Sequence, residues 1–345
     1  MDRKSTTVVM PKGFLLPLVE GLLSEREVIG VKRRDGKFAF DRIEGPGELY
    51  LDYDVTLLPL RQFLLPPQET LFRYSIEGGV NVEPVVDSPP RVIFGVHPYD
   101  IRALELLDAV YGGDNPDPGY VRRRENTLIV GVDCLNPSPY SFAKSIDTHV
   151  VESGFDLLLT DIGDSYVVTI GSNRGREVLE RHVETTATSE RDLARRDAVR
   201  KESEGRYKLA LKMSPQEVPA LLDASYDHPL WEEKGAKCLN CASCTMVCPT
   251  CVCFDVRDEP ELTLAKGHRD RAWDSCMLVD FAKVATGENF RSSGTQRLRH
   301  RLYRKGKYML ERYGKLGCVG CGRCVSACLA DIASPVDAYN TLKEG

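Results

Sequence analysis

The stretch Lys237–Val256, KCLNCASCTMVCPTCVCFDV, places six cysteines in sixteen positions, from Cys238 to Cys253. Four of them have the spacing Cys238-x2-Cys241-x2-Cys244-x3-Cys248, followed by Pro249. The same spacing returns as Cys318-x2-Cys321-x2-Cys324-x3-Cys328, so a short motif is duplicated within the chain. Three thiolates so spaced wrap one face of an iron–sulfur cubane, and the fourth reaches away to the neighbouring cluster. That pairing assigns Cys238, Cys241, Cys244 and Cys328 to one 4Fe-4S cluster, and Cys318, Cys321, Cys324 and Cys248 to the other. Small residues at Ala242, Ser243, Gly320 and Gly322 allow close approach, and the two glycines also permit positive φ. Cys328 is followed by Leu329 where the pattern has proline, a residue that shapes the turn but ligates nothing. The competing reading is a zinc-stabilised interaction module. Zinc knuckles, however, use two C-x2-C pairs and do not call for a doubled four-cysteine run.

Working outward, the 345-residue chain is 42% hydrophobic, long enough for two domains. Of its twelve cysteines only Cys134 precedes residue 238, a placement that favours metal binding over a disulfide framework. A formal charge of −5 argues against nucleic acid as the main partner. The N-terminal stretch MDRKSTTVVMPKGFLLPLVEGLL has no continuous apolar core of a signal peptide, and no segment approaches the ~18 apolar residues of a membrane span. The expectation is a cytoplasmic protein without direct membrane insertion.

The fold class expected is α+β. Residues 1–225 read as an α/β partner-docking domain, and 226–345 as a ferredoxin-like two-cluster domain with a long, mainly helical insert at about 254–317. GVKRRDGKFAFDRI reads as a hairpin turning at Asp35-Gly36. RVIFGVH and NTLIVGVDC are buried-strand runs, and DIRALELLDAVY between them has helical spacing, which makes a βαβ unit. FDLLLTDIGDSYVVTIGS gives two more strands around Asp161–Asp164, and residues 185–204 read as an exposed helix leading to a linker.

Cys251, Cys253 and Cys276 remain after eight ligands are assigned. They read either as buried packing residues or, with His268, as a third site. The run Arg291–Tyr308 carries seven Lys or Arg, with Arg297, Arg299, Arg301, Arg304 and Lys305 as a candidate partner-facing basic patch. Shielding of cluster charge and a solvated helical face are the alternatives. The scattered histidines, His97, His149 and His182 among them, are assigned to no metal, and no catalytic acid or base is expected.

CPTCVCFDV, RAWDSCMLVDFAKVATGENFR, RLRHRLYRKGKY and GCVGCGRCVSAC together resemble the beta subunit of soluble sulfhydrogenases, the cytosolic nickel–iron hydrogenases that use NAD(P). The dicluster iron–sulfur component of anaerobic sulfite reductase is a related family. The resemblance runs through 226–335 and more weakly over about 91–175. It implies a non-catalytic iron–sulfur subunit, passing electrons between a flavin-containing NAD(P)-binding partner and a catalytic, hydrogenase-like one. A sulfite reductase or disulfide reductase complex is the alternative setting. Relatives often carry cysteines in an RPCD stretch and a CFC-like stretch, where this chain has Tyr99 and Pro139–Ser145. The expectation is therefore no cluster in the first domain, with Cys134 as a buried structural thiol.

Overall fold

The computed structural model describes residues 6–345; the first five residues of the N-terminal stretch read above lie outside the described residues. The N-terminal part is built on an eight-stranded mixed sheet. Its strands are β1 (Thr6–Pro11), β2 (Glu27–Arg34), β3 (Lys37–Arg42), β6 (Arg91–Val96), β7 (Thr127–Val132), β8 (Leu157–Asp161), β9 (Ser165–Ile170) and β10 (Thr186–Ala187), in the order β10-β1-β9-β8-β7-β6-β2-β3. Strands β2, β6, β7 and β8 run parallel at its centre. Buried on both faces, β6 and β7 are continuous apolar runs, as central parallel strands require. Alternate residues feed two cores. Val92, Phe94, Leu128 and Val130 pack on one face with Leu18 and Leu22 of helix α1 (Leu15–Glu25). Ile93, Ile129 and Leu158 pack on the other with Ile101, Leu104 and Leu107 of α2 (Pro98–Tyr111).

The βαβ unit expected between residues 91 and 134 is present as β6, α2, α3 (Pro118–Asn126) and β7. Asp35 and Gly36, both at positive φ, turn the β2–β3 hairpin. Helices α4 (Asn173–His182) and α5 (Glu190–Glu204) follow, α5 opening on a capping box between Ser189 and Asp192. The exposed helix read over 185–204 thus occupies its second part, and it is tied back to the sheet by Arg200 on Asp133 at 2.7 Å.

The segment between the cysteine runs, expected to be mainly helical, opens with a hairpin. Strands β11 (Phe254–Pro260) and β12 (Lys266–Trp273) pair with β4 (Gln68–Ser75) and β5 (Asn81–Pro84) in a second, antiparallel sheet of order β11-β12-β4-β5. This sheet crosses the boundary expected near residue 226. Buried ion pairs fasten it: Glu69 of β4 holds both Arg123 of α3 and Arg271 of β12 at 2.5 Å, and Arg271 also reaches Asp117.

The C-terminal part adds α6 (Val218–Ala224), α7 (Leu230–Lys237) and α8 (Ser243–Met246) before the hairpin. After it come α9 (Gly294–Tyr303), a π-helical stretch (Arg304–Tyr308), α10 (Met309–Tyr313), α11 (Arg323–Ser326) and α12 (Pro335–Glu344). Their core gathers Trp231, Leu298, Leu302, Tyr303 and Tyr339 with Cys251, Cys253 and Cys276. Among the described residues no helix is long and apolar enough to cross a membrane.

Candidate functional site

The two cysteine runs fold alike, residue for residue. The residue before the second cysteine and the residue after it have positive φ in both runs: Asn240 (52°) and Ala242 (65°), Gly320 (66°) and Gly322 (83°). A one-turn helix then starts, with Thr245 N–H donating to Ala242 O at 2.9 Å and Val325 N–H to Gly322 O at 3.0 Å. Each fourth cysteine closes the turn, Cys248 N–H on Thr245 O and Cys328 N–H on Val325 O, both at 3.1 Å. Left-handed residues beside right-handed ones turn backbone N–H groups into a common concavity that suits anionic sulfur. Gly320 N–H donates to Cys318 Sγ at 3.4 Å and Ile332 N–H to Cys328 Sγ at 3.5 Å.

Each run grips a cavity, and each fourth cysteine crosses to the other one. One cavity is lined by Cys238, Cys241, Cys244 and Cys328. A second is lined by Cys248, Cys318, Cys321 and Cys324. Among the described residues no three His, Cys, Asp or Glu side chains converge closely enough to hold a single metal ion. Four soft sulfur donors around each space, with amide donors at their backs, fit an iron–sulfur cluster.

The surroundings of the two cavities differ. Leu239 and Leu329, 63% and 88% exposed, rim the first, and Cys241 is itself exposed. A hydrogen bond with Ser243 Oγ, 3.3 Å away, lowers the Cys241 thiol below its ordinary value. The second cavity is covered by the segment Pro139–Ser145 of the N-terminal part. Phe142 N–H and Ser141 Oγ both donate to Gly320 O at 2.9 Å, and Thr148 Oγ1 donates to Val319 O at 2.7 Å. Closeness explains the glycines: a Cβ on Gly320 would meet Ala143 N at 2.7 Å, and one on Gly322 would meet the Tyr140 backbone at 2.7 Å. Burial pushes the Cys321 thiol up to about 12 and raises Cys318 and Cys324 as well.

One fully buried ion pair joins the two parts at this cover. Arg323, between Gly322 and Cys324, binds the Asp100 carboxylate of α2 through both terminal nitrogens, at 2.7 and 2.6 Å. It also donates to Thr56 O at 2.9 Å and Thr56 Oγ1 at 2.7 Å.

A family profile described as a 4Fe-4S dicluster domain matches residues 237–332. Sulfhydrogenase 2 subunit beta of Pyrococcus furiosus is 36% identical over 322 residues, covering 92% of each chain. The chain belongs to the sulfhydrogenase beta-subunit family. Its dicluster domain gives it two 4Fe-4S clusters.

Other residues singled out in this beta-subunit sequence take unforeseen places. Of the basic run, Arg297, Arg301 and Lys305 are buried, which corrects the expectation that they face a partner. They recur every fourth residue on the inner face of α9 and the π-helical stretch, so helix geometry turns all three to the core. Arg299 stacks its guanidinium on Tyr226 at 3.8 Å, and Arg304 is half-buried. Cys251, Cys253 and Cys276 do meet in space. All three lie in the core around Trp231 and Leu298. His268, the fourth ligand considered for them, pairs instead with Asp270 on β12, 3.6 Å away.

Cys134 is buried beside Tyr99, Ala143, Val319 and Cys321, and burial raises its thiol far above the ordinary value. Tyr99 Oη donates to Asp54 O at 2.9 Å and lies 2.7 Å from His97 Nδ1. His97 in turn stacks on Tyr53 at 3.9 Å. Sequence reasoning missed the Asp100–Arg323 pair altogether. Its only local signal is an arginine set between two cysteines of the second run.

Proposed function

We propose that this chain is the iron–sulfur electron-transfer subunit of a multi-subunit cytoplasmic oxidoreductase of the nickel–iron sulfhydrogenase type. It stands between a flavin-containing, NAD(P)-binding partner and a catalytic, hydrogenase-like one. The observation that carries this reading is the pair of adjacent four-thiol cavities in a member of the sulfhydrogenase beta-subunit family. Cys238, Cys241, Cys244 and Cys328 hold one cluster, and Cys318, Cys321, Cys324 and Cys248 hold the other. When bound, such clusters supply carriers that take and give single electrons.

The protein's own residues do the rest. Four thiolates for four irons leave no coordination position for substrate, so the chain relays electrons and does no bond chemistry. Phe142 lines the second cavity, and the Arg323–Asp100 pair fastens the loop of Cys321 and Cys324 to the N-terminal part. The exposed rim at Leu239, Cys241 and Leu329 makes the first cavity the side on which electrons are exchanged with a partner.

Anaerobic purification of the chain with its bound partners tests the reading. The expected preparation contains about eight irons with matching acid-labile sulfide per chain. It also contains a flavoprotein and a nickel–iron subunit, and the reduced clusters are reoxidised through them. Zinc without sulfide, or partners of a sulfite or disulfide reductase, contradicts it.

A further inference from the structure

The basic run that was expected on the surface points the other way, into the space between the two cavities. Arg301 is 2% exposed and Lys305 is 5% exposed. Both line the cavity of Cys248, Cys318, Cys321 and Cys324. Arg301 Nη1 donates to Ala333 O at 3.1 Å, while its Nε has no partner among the described residues. Lys305 Nζ donates to Thr250 O at 3.0 Å and to Thr250 Oγ1 at 2.8 Å. Among the described residues no carboxylate pairs with either cation, although ion pairs form elsewhere, including the buried one at Arg323. Burying a cation without a counter-charge is strongly unfavourable. Four cysteine sulfurs line the same cavity and can supply the counter-charge.

Arg301 bridges the two cavities: it lines that of Cys248, Cys318, Cys321 and Cys324, and its Nη1 bonds the backbone of Ala333, a residue that lines the other. Arg297, one turn earlier, differs: it donates to Arg291 O and Ser292 O at 2.9 and 2.8 Å and lines neither cavity.

We infer that Arg301 and Lys305 are the buried counter-ions of the two clusters, Arg301 shared between them and Lys305 serving the enclosed one, and that they set the clusters' reduction potentials. This rests on the two-cluster reading above. A cluster held by four thiolates is anionic and gains one further negative charge on reduction. A fixed cation nearby therefore stabilises the reduced form and raises the potential. Being fixed, Arg301 shifts both clusters while leaving the repulsion between two reduced clusters unchanged.

The test is an EPR-monitored redox titration of the full, anaerobically purified chain with its clusters, alongside iron counts. Arg301→Gln is expected to lower the reduced-to-oxidised ratio of both clusters at fixed ambient potential by about tenfold, which is ~59 mV for a one-electron couple. Arg301→Lys and Lys305→Arg should shift little. Lys305→Gln should shift one cluster more than the other.

Unchanged potentials in iron-replete Arg301→Gln and Lys305→Gln overturn the inference, as does an equal shift in the charge-keeping variants. Should both glutamine variants fail to load iron while the charge-keeping variants load normally, charge compensation is supported. Failure of all four variants assigns the two residues to packing and overturns it. A wild-type chain without iron and sulfide would fail the two-cluster reading itself, which is a separate result.

Discussion

The cavity bearing Cys241 is walled by the C-terminal part alone, whereas the cavity bearing Cys321 also borrows Phe142 from the N-terminal part. The two loops have the same backbone, so the difference is one of surroundings. Around the first, Leu329 stands exposed where the pattern has proline. Around the second, glycines replace Asn240 and Ala242 at the matching positions, and that lets the Pro139–Ser145 segment press against the loop. A duplicated motif has thus become asymmetric, with Cys241 exposed in one loop and Cys321 buried against the α/β part in the other. Hydrogen bonding, burial and solvent access move cluster potentials over hundreds of millivolts, so the two sites are not electrochemical equals.

The crossed cysteines give the largest effect. Cys248→Ser should remove the cluster of the enclosed cavity, and Cys328→Ser that of the open one, each leaving about half of the wild-type iron. Iron and sulfide counts with EPR of the reduced chain check this, and loss of the same cluster in both variants would break the comparison. Asp100→Ala comes next, because it strands a buried guanidinium at the cover of the enclosed site. A loss of about 3–5 kcal/mol in unfolding free energy is expected from denaturant titration.

Leu329→Glu should leave both clusters intact and slow electron exchange with the partner complex by roughly tenfold, a change of ~1.4 kcal/mol. Stopped-flow reoxidation measures it, and an unchanged rate would move the exchange face elsewhere. Smallest is Thr148→Val, which removes one hydrogen bond to Val319 O across the cover. About 1 kcal/mol is expected, with no change at the open site.

Legibility followed the range of the interactions. The cysteines that line each cavity were readable because cluster-binding spacing is local: three cysteines two residues apart already define a face. The central strands were readable because β6 and β7 are apolar runs bounded by a helix of regular period. The β11–β12 hairpin was not. Its strands, FDVRDEP and KGHRDRAW, are polar, the first largely exposed and the second mostly half-buried, and their third partner, β4, lies nearly two hundred residues earlier in the chain. Nothing local announces such a pairing.

The basic run was misjudged for a related reason. Arginines are normally solvated, and only the i, i+4, i+8 recurrence of Arg297, Arg301 and Lys305 marked one face as distinct. What makes their burial tolerable at Arg301 and Lys305, the sulfur from two distant loops, appears only when the chain is folded. Asp100 and Arg323 are separated by 223 residues, and a buried pair at that distance leaves no pattern in one sequence.

The contrast between the site with exposed Cys241 and the site with buried Cys321 is tested most directly by a chelator time course on the anaerobic full chain, with alkylation and mass spectrometry at each time point. The account predicts two phases. In the first, about half of the iron leaves while Cys238, Cys241, Cys244 and Cys328 become labelled. In the second, Cys248, Cys318, Cys321 and Cys324 follow. A single phase that labels all eight together, or early labelling of Cys318 and Cys321, would contradict it.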